Sequence, residues 1–442
     1  MLVTSLNYHY DSIDSFIFRL TNFLVLIVSL SLMGTEIDQP YSIRKLVYFF
    51  FFFFFGIIPL NDYACGLLYW GRPKIEVQYY IVTNIQILLG LISFWLCGFI
   101  PLNIQGLVRN IERFDVKTVS DDKIRNSIIF LSSSIFCYII LALSNFNIYL
   151  LLLRGYYGDG FDLIESSSLS SIQGLIYNNV IRPIPIFFFT LFFYQVKSGK
   201  RGKNNITIAL LFILAIIFVS PTALPRFQIA ALYMPICIML FSGFMVGVFR
   251  MPIILIVILL FVFPFLDKFR YFNPDTFDLS LDFTFLGAGH FDSYQNFVHA
   301  VSIDYITFGY QLLGPLGFFV SRDLWPDKPI GSGSQMAINT GLNFTNISMP
   351  YIGEGFVNYG LLGVVLFMGF LGVLLSSLDK TYWVLRNSKN SSIYIPFYYT
   401  ILGMVFFLMR GDLLSSFAYT VGILISFIST AYLLKIICIK TY

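Results

Sequence analysis

Charge is scarce in this sequence. Its 28 Lys and Arg and 24 Asp and Glu make up 12% of 442 residues, where a soluble globular domain carries about 25%. That shortage excludes a soluble enzyme, a secreted disulfide scaffold and a nucleic-acid binder. Histidine is rarer still, and His9, His290 and His299 have no spacing that builds a zinc site. The five cysteines, Cys65, Cys97, Cys137, Cys237 and Cys438, are scattered through mostly apolar stretches. They form neither a disulfide framework nor a metal spacing, and read as buried free thiols. No Asp-x-Asp pair is present to hold a divalent metal on a nucleotide-sugar, and no Gly-x-x-x-x-Gly-Lys loop cradles phosphates. No metal and no cofactor are therefore expected.

What is abundant is apolar length. Hydrophobic residues make up 57% of the chain, and the mean hydropathy is +0.77. Apolar runs long enough to approach a bilayer's thickness stand at about 16–34, 44–60, 79–101, 127–153, 174–196, 206–219, 229–249, 252–266, 356–376, 393–409 and 413–434. The expectation is an all-α polytopic integral membrane protein of about eleven spans. The first run leads directly into others, as a first span does and a cleaved signal peptide does not. The phenylalanine run 49–55 reads as lipid-facing low complexity.

Basic residues fix the orientation. If the connection with Arg109, Arg113, Lys117, Lys123 and Arg125 is cytoplasmic, alternation also places Arg44, Lys45 and the cluster Lys197, Lys200, Arg201 and Lys203 inside. Arg250, Lys380, Arg386, Lys389, Lys435 and Lys440 follow on the same side. The C-terminus is then cytoplasmic, and the N-terminus, with Asp11 and Asp14, external. The chain divides into residues 1–266 with eight spans, an outward-facing segment 267–355, and 356–442 with three spans and a cytoplasmic tail. Within the outer segment the apolar stretch 305–320 is interrupted by Gly309, Gly314, Pro315 and Gly317. It is too short and broken to span, and suits a re-entrant or interfacial helix. The segment holds nine acids against four bases, so it is no polyanion-binding surface.

Few cations remain outside the cytoplasmic set, and function is to be sought among them. Arg182 lies inside the fifth run, after Asn178 and Asn179 and before Pro183 and Pro185. An arginine at bilayer depth costs at least ~2.5 kcal/mol and marks a functional site, unless it only pairs with a carboxylate to lock the bundle. Arg226 opens the seventh run after a proline-bounded turn, where snorkelling is the alternative. Arg410, in the turn Arg410-Gly411-Asp412, reads as an interface anchor. The densest constellation is Arg322-Asp323-Leu324-Trp325-Pro326-Asp327-Lys328-Pro329, followed by Gly331 and then Gly353-Glu354-Gly355. Arg322 and Lys328 on a proline-stiffened loop can converge on one anion, and Trp325 offers an aromatic face for a sugar ring. An ordinary loop with exposed ion pairs is the competing reading.

Arg322 to Pro329, Gly331, Gly353-Glu354 and Asn358-Tyr359-Gly360 leading to Gly363 resemble the C-terminal signature of Wzy-type O-antigen polymerases, bacterial oligosaccharide repeat-unit polymerases. Ser321 stands where proline is common and Tyr359 where phenylalanine is common. The resemblance implies a GT-C-like membrane glycosyltransferase of the bacterial inner membrane with its active site facing the periplasm. It would move the growing glycan from undecaprenyl diphosphate to the terminal sugar of an incoming lipid-linked repeat unit, without a metal. Partners so implied are the lipid-linked oligosaccharide donor and acceptor, membrane lipid and a chain-length regulator protein, and no nucleic acid. Arg226 and Arg322, then Arg182, Arg270 and Lys328, would hold the diphosphate, because arginine's planar fork grips phosphate oxygens. Trp325 would contact sugar, and Glu354, Asp327 or His290 would serve as the base for the acceptor hydroxyl. An O-antigen ligase and a lipid-linked oligosaccharide flippase or transporter are the alternatives.

Overall fold

The computed structural model describes residues 13–72, 74–100, 102–116, 123–153, 171–202, 204–269, 289–388 and 391–438. Among them all regular structure is helical, with no strand. Apolar helices stand at each of the expected positions: α1 Ile13–Thr35, α2 Ile43–Cys65, α3 Val77–Cys97, α4 Lys123–Leu143, α5 Ile172–Lys197, α6 Asn205–Phe218, α7 Arg226–Phe241, α8 Arg250–Leu266, α9 Tyr351–Asn387, α10 Tyr394–Arg410 and α11 Leu413–Cys438. Seven of these, α1 to α5, α9 and α11, are long and apolar enough to cross a membrane. Helices α6, α7, α8 and α10 are shorter, at 10–17 residues, against the ~20 a straight span needs.

Two polar clusters mark opposite ends of this bundle. At one end Lys200 pairs with Asp115 at 2.7 Å, and Ser392 donates to Glu112 at 2.8 Å. Asp379, near the far end of α9, accepts the first amides of α2, Ile43 and Arg44, at 2.9 Å each. It thereby satisfies donors that a helix start leaves without partners. At the other end Glu354, in the first turn of α9, accepts the Leu413 amide at 2.8 Å, and Arg410 pairs with Asp292. At about 1.5 Å per residue, Glu354 and Asp379 lie roughly 35 Å apart along α9. The basic-rich connections expected to share one side thus converge at one end, and the segment before α9 converges at the other.

Helix α9 begins at Tyr351, after Pro350, so Gly353-Glu354-Gly355 lies within its first turns rather than in a loop. It is broken at Tyr359 and Gly360, where Gly360 takes φ 59°, a conformation that glycine adopts without steric cost. The carbonyls freed there do not go unpaired. Val357 accepts from the Thr307 amide at 2.7 Å, and Asn358 from the Gly309 amide at 3.0 Å. The Asn358-Tyr359-Gly360 motif is therefore the point at which the outer segment is stitched to the bundle. Residues 305–320 form only single-turn pieces, Tyr310–Leu312 and Leu313–Leu316, and do not span.

The phenylalanine run corrects its sequence reading. Phe49, Phe50, Phe51, Phe53, Phe54 and Phe55 are all buried, and α2 is the most enclosed of the seven long helices. The rings of Phe50 and Phe54 stack at 4.5 Å, and Phe54 reaches Phe291 of the outer segment and Phe406 of α10. A helix apolar on every side carries no polar face to show its direction; this one is central, not lipid-facing.

Candidate functional site

A cavity of about 1010 Å³ opens at the outer-segment end. Its walls are the first half of α5, the start of α7, Phe318, residues 320–323, Lys328, residues 346–348, and the corner joining α10 to α11. Among the described residues four cations line it: Arg182, Arg322, Lys328 and Arg410. They come from three separate parts of the chain.

Arg182 sits where α5 changes winding. Residues Tyr177–Ile181 form a π-turn, and Pro183 and Pro185 cannot donate, so the helix resets here. The side chain is only 7% exposed. Its Nε donates to the carbonyl of Phe218, the last residue of α6, and its Nη2 to that of Leu151, both at 3.3 Å. Gln228 of α7 braces the same turn, donating to Asn178 O at 3.1 Å and to Asn179 Oδ1 at 2.8 Å.

Arg322 and Lys328 hold the 318–329 loop in shape through its own backbone. Arg322 Nη1 donates to Lys328 O at 2.7 Å and Nη2 to Pro329 O at 3.3 Å. Lys328 Nζ donates to Phe318 O and Val320 O, each at 3.0 Å. Burial, reinforced by the neighbouring Arg322 charge, lowers the Lys328 pKa below the ordinary lysine value. Among the described residues no carboxylate pairs with Arg182, Arg322 or Lys328; every hydrogen-bond partner is a neutral carbonyl. The lock-by-carboxylate reading of Arg182 and the ion-paired-loop reading of residues 322–328 both fail on this point. Three positive charges face one cavity without being neutralised.

Arg410 is the fourth, and it is not an interface anchor. Its Nη2 pairs with Asp292 Oδ1 at 3.1 Å, and its Nε donates to His290 O at 2.7 Å. Asp292 is fully buried and also accepts from Trp70 Nε1 at 3.0 Å, Asn296 Nδ2 at 2.9 Å and Ser348 Oγ at 2.6 Å. The carboxylate thus fixes Arg410 on the cavity wall from behind.

The remaining expected residues that the structure describes fall outside the lining. Arg226 turns away, its guanidinium carbon 3.8 Å from the centre of the Phe263 ring and Nη2 3.4 Å from His290 Nε2. Glu354 is 1% exposed and accepts from Ser332 Oγ at 2.7 Å as well as from the Leu413 amide. It ties α9, α11 and the helix Ser332–Asn339 together behind the cavity. Trp325 packs against Gly317, so closely that a Cβ there would lie 2.7 Å from the indole. Asp327 is exposed, and its carbonyl accepts the Tyr310 hydroxyl at 2.6 Å. Arg270 lies outside the described residues.

Sequence reasoning passed over Asp292, Asp412 and the role of Arg410. The signal available was the Arg410-Gly411-Asp412 turn, two opposite charges in a connection too short to need either. Beside the cations the lining is aromatic. Phe227 and Phe407 stack at 4.0 Å with 13° between their planes, and Tyr419 lies nearly parallel 5.3 Å from Phe227. A cavity lined by both cations and stacked rings suits an amphiphilic anion with a large polar part. No protein-family model, curated protein or solved structure matches this chain.

Proposed function

We propose that the chain is a repeat-unit polysaccharide polymerase of the bacterial inner membrane, GT-C-like, with about eleven spans and its cavity opening to the periplasm. It transfers a growing glycan from undecaprenyl diphosphate to the terminal sugar of an incoming lipid-linked repeat unit. The observation that carries this reading is the set of three carbonyl-held, un-neutralised cations, Arg182, Arg322 and Lys328, facing one large cavity beside Arg410. Oriented charges of this kind stabilise the diphosphate as its bond to the sugar breaks, the role a metal plays elsewhere. Charge-assisted hydrogen bonds to phosphate oxygens are the strong ones, and arginine supplies them bidentately.

This assignment departs from the order given by the sequence resemblance. Arg322 keeps its place, Arg182, Lys328 and Arg410 join it, and Arg226 becomes a buttress for the His290 backbone that Arg410 grips. Lipid tails reach the cavity between helices. The exposed apolar side chains of Phe308, Leu316 and Phe319, in the segment that also carries Phe318 of the lining, would contact such a tail. The test is the surface polysaccharide of a strain lacking the protein. One repeat unit per lipid core supports the polymerase; no repeat unit at all supports a ligase or flippase.

A further inference from the structure

We infer that Asp412 is the base that takes the proton from the attacking acceptor hydroxyl, an assignment that rests on the glycosyl-transfer reading above. Among the described residues only two carboxylates line the cavity, Asp323 and Asp412. Asp323 is exposed on its turn, with Oδ2 accepting from Ser321 Oγ at 2.9 Å. Glu354, Asp327 and His290, the bases that the sequence offered, lie outside the lining.

Asp412 is held in place from two sides. Its Oδ1 accepts the Ser415 amide at 2.9 Å and its carbonyl accepts the Ser416 amide at 3.0 Å, the pattern of an aspartate capping the start of α11. On the other side it sits directly on Gly331. A Cβ at that position would lie 2.6 Å from Oδ1 and 3.4 Å from Oδ2, so any larger residue would push the carboxylate from this position. Gly331 belongs to the stretch following the Arg322–Pro329 loop, and this contact gives that glycine a role that backbone geometry alone did not. The carboxylate thus stands on the same wall as Arg410, two residues away, with Arg322 and Lys328 lining the same cavity.

The step balances. The acceptor hydroxyl oxygen bonds to the anomeric carbon of the donor as that carbon's bond to the diphosphate oxygen breaks. The bonding pair leaves with the lipid diphosphate, which the cations hold, and the hydroxyl proton passes to the Asp412 carboxylate and then to water. Burial raises the proton affinity of Asp412, against the lowering effect of the α11 amides, and so moves it toward the working range of a general base. The groups that face it are Glu354 behind the Leu413 amide, Arg410 preceding it, Tyr419 on α11, and Arg322, Lys328 and Asp323 from the loop across the cavity.

The experiment uses the full chain, purified into liposomes, with undecaprenyl diphosphate-linked repeat units as donor and acceptor. Asp412→Asn keeps the shape and an N-capping oxygen, and Asp412→Ser is a second variant that also retains a cap. Loss of general-base help lowers turnover by about 100-fold or more, with binding of undecaprenyl diphosphate and the thermal midpoint unchanged. The rise of kcat with pH through the titration of Asp412 disappears in both variants. The assignment is overturned if either folded variant keeps turnover within tenfold of the parent, if the rise of kcat with pH survives, or if Asp323→Asn produces the loss instead. A parent protein that binds the lipid but elongates nothing removes the transferase reading itself, and the base assignment with it.

Discussion

Replacing Arg182 by methionine separates a structural arginine from a functional one. The side chain is buried, and its hydrogen-bond partners are two carbonyls, of Phe218 and Leu151, each 3.3 Å away. Hydrogen bonds of that length are at the weak end of the range, and together they contribute about 2 kcal/mol. Burying the charge at bilayer depth costs at least ~2.5 kcal/mol. Methionine keeps most of the apolar stem and removes both effects, so the fold should change in stability by no more than about 1 kcal/mol. In thermal unfolding that is a shift of a few degrees at most. If the guanidinium stabilises a departing diphosphate, its loss raises the barrier by about 3–4 kcal/mol, roughly a 100- to 1000-fold fall in rate. The assay pairs unfolding of detergent-purified protein with elongation of lipid-linked repeats. Wild-type elongation by Arg182→Met would refute the reasoning. A collapse in stability exceeding about 3 kcal/mol would instead return Arg182 to the role of a lock.

Arg322→Ala should lose about 100-fold or more in rate, and Arg322→Lys should stay clearly impaired, because lysine keeps the charge without the bidentate fork. Arg226→Ala, whose side chain points at Phe263 rather than the cavity, should be milder than Arg322→Ala in the same ladder assay, at equal membrane abundance. If arginines take the place of a metal, activity should survive EDTA; loss on chelation and return with magnesium would refute that. Burial, then Arg72, lowers the pKa of His299 to about 3 from 6.5. A depressed histidine stays neutral when folded while the unfolded chain takes up a proton, so its contribution is complete above pH ~6.5 and is lost as pH falls toward 3. Between those values stability should decline by up to about 1.4 kcal/mol per pH unit from this group. His299→Gln should remove that part of the slope in unfolding titrations.

The helices were legible because each is an apolar run ended by charge, glycine or proline, and those signals are local. What was not legible is which face of a run meets what. The segment Phe49–Phe55 has no polar residue, so its sequence is equally compatible with lipid and with the core. Its burial follows from the positions of α10 and Phe291, which are hundreds of residues away in the chain. The signature residues divide in the same way. Gly360 has a local backbone reason, its positive φ, and is readable as a break; the carbonyls that the break frees find partners in residues 307–309, which no local rule specifies.

The site shows why single residues mislead. Arg410 looked like an anchor because a charge in a three-residue turn between two apolar helices ordinarily reaches for the interface. Its fate is decided by Asp292, 118 positions earlier, whose Oδ1 it shares with Ser348 and whose Oδ2 is engaged by Trp70 and Asn296. Glu354 was misread in the opposite direction. A rare glutamate beside signature glycines looks catalytic, yet both of its oxygens are engaged within the protein, by Ser332 and Leu413. Glu354, buried behind the wall, does not line the cavity, whereas Asp412, reached through the same Leu413 corner, does. On the proposed assignment Glu354 acts by fixing the corner that presents Asp412. Glu354→Gln, which can still accept the Leu413 amide, should keep more of the activity than Asp412→Asn if that division of labour is correct.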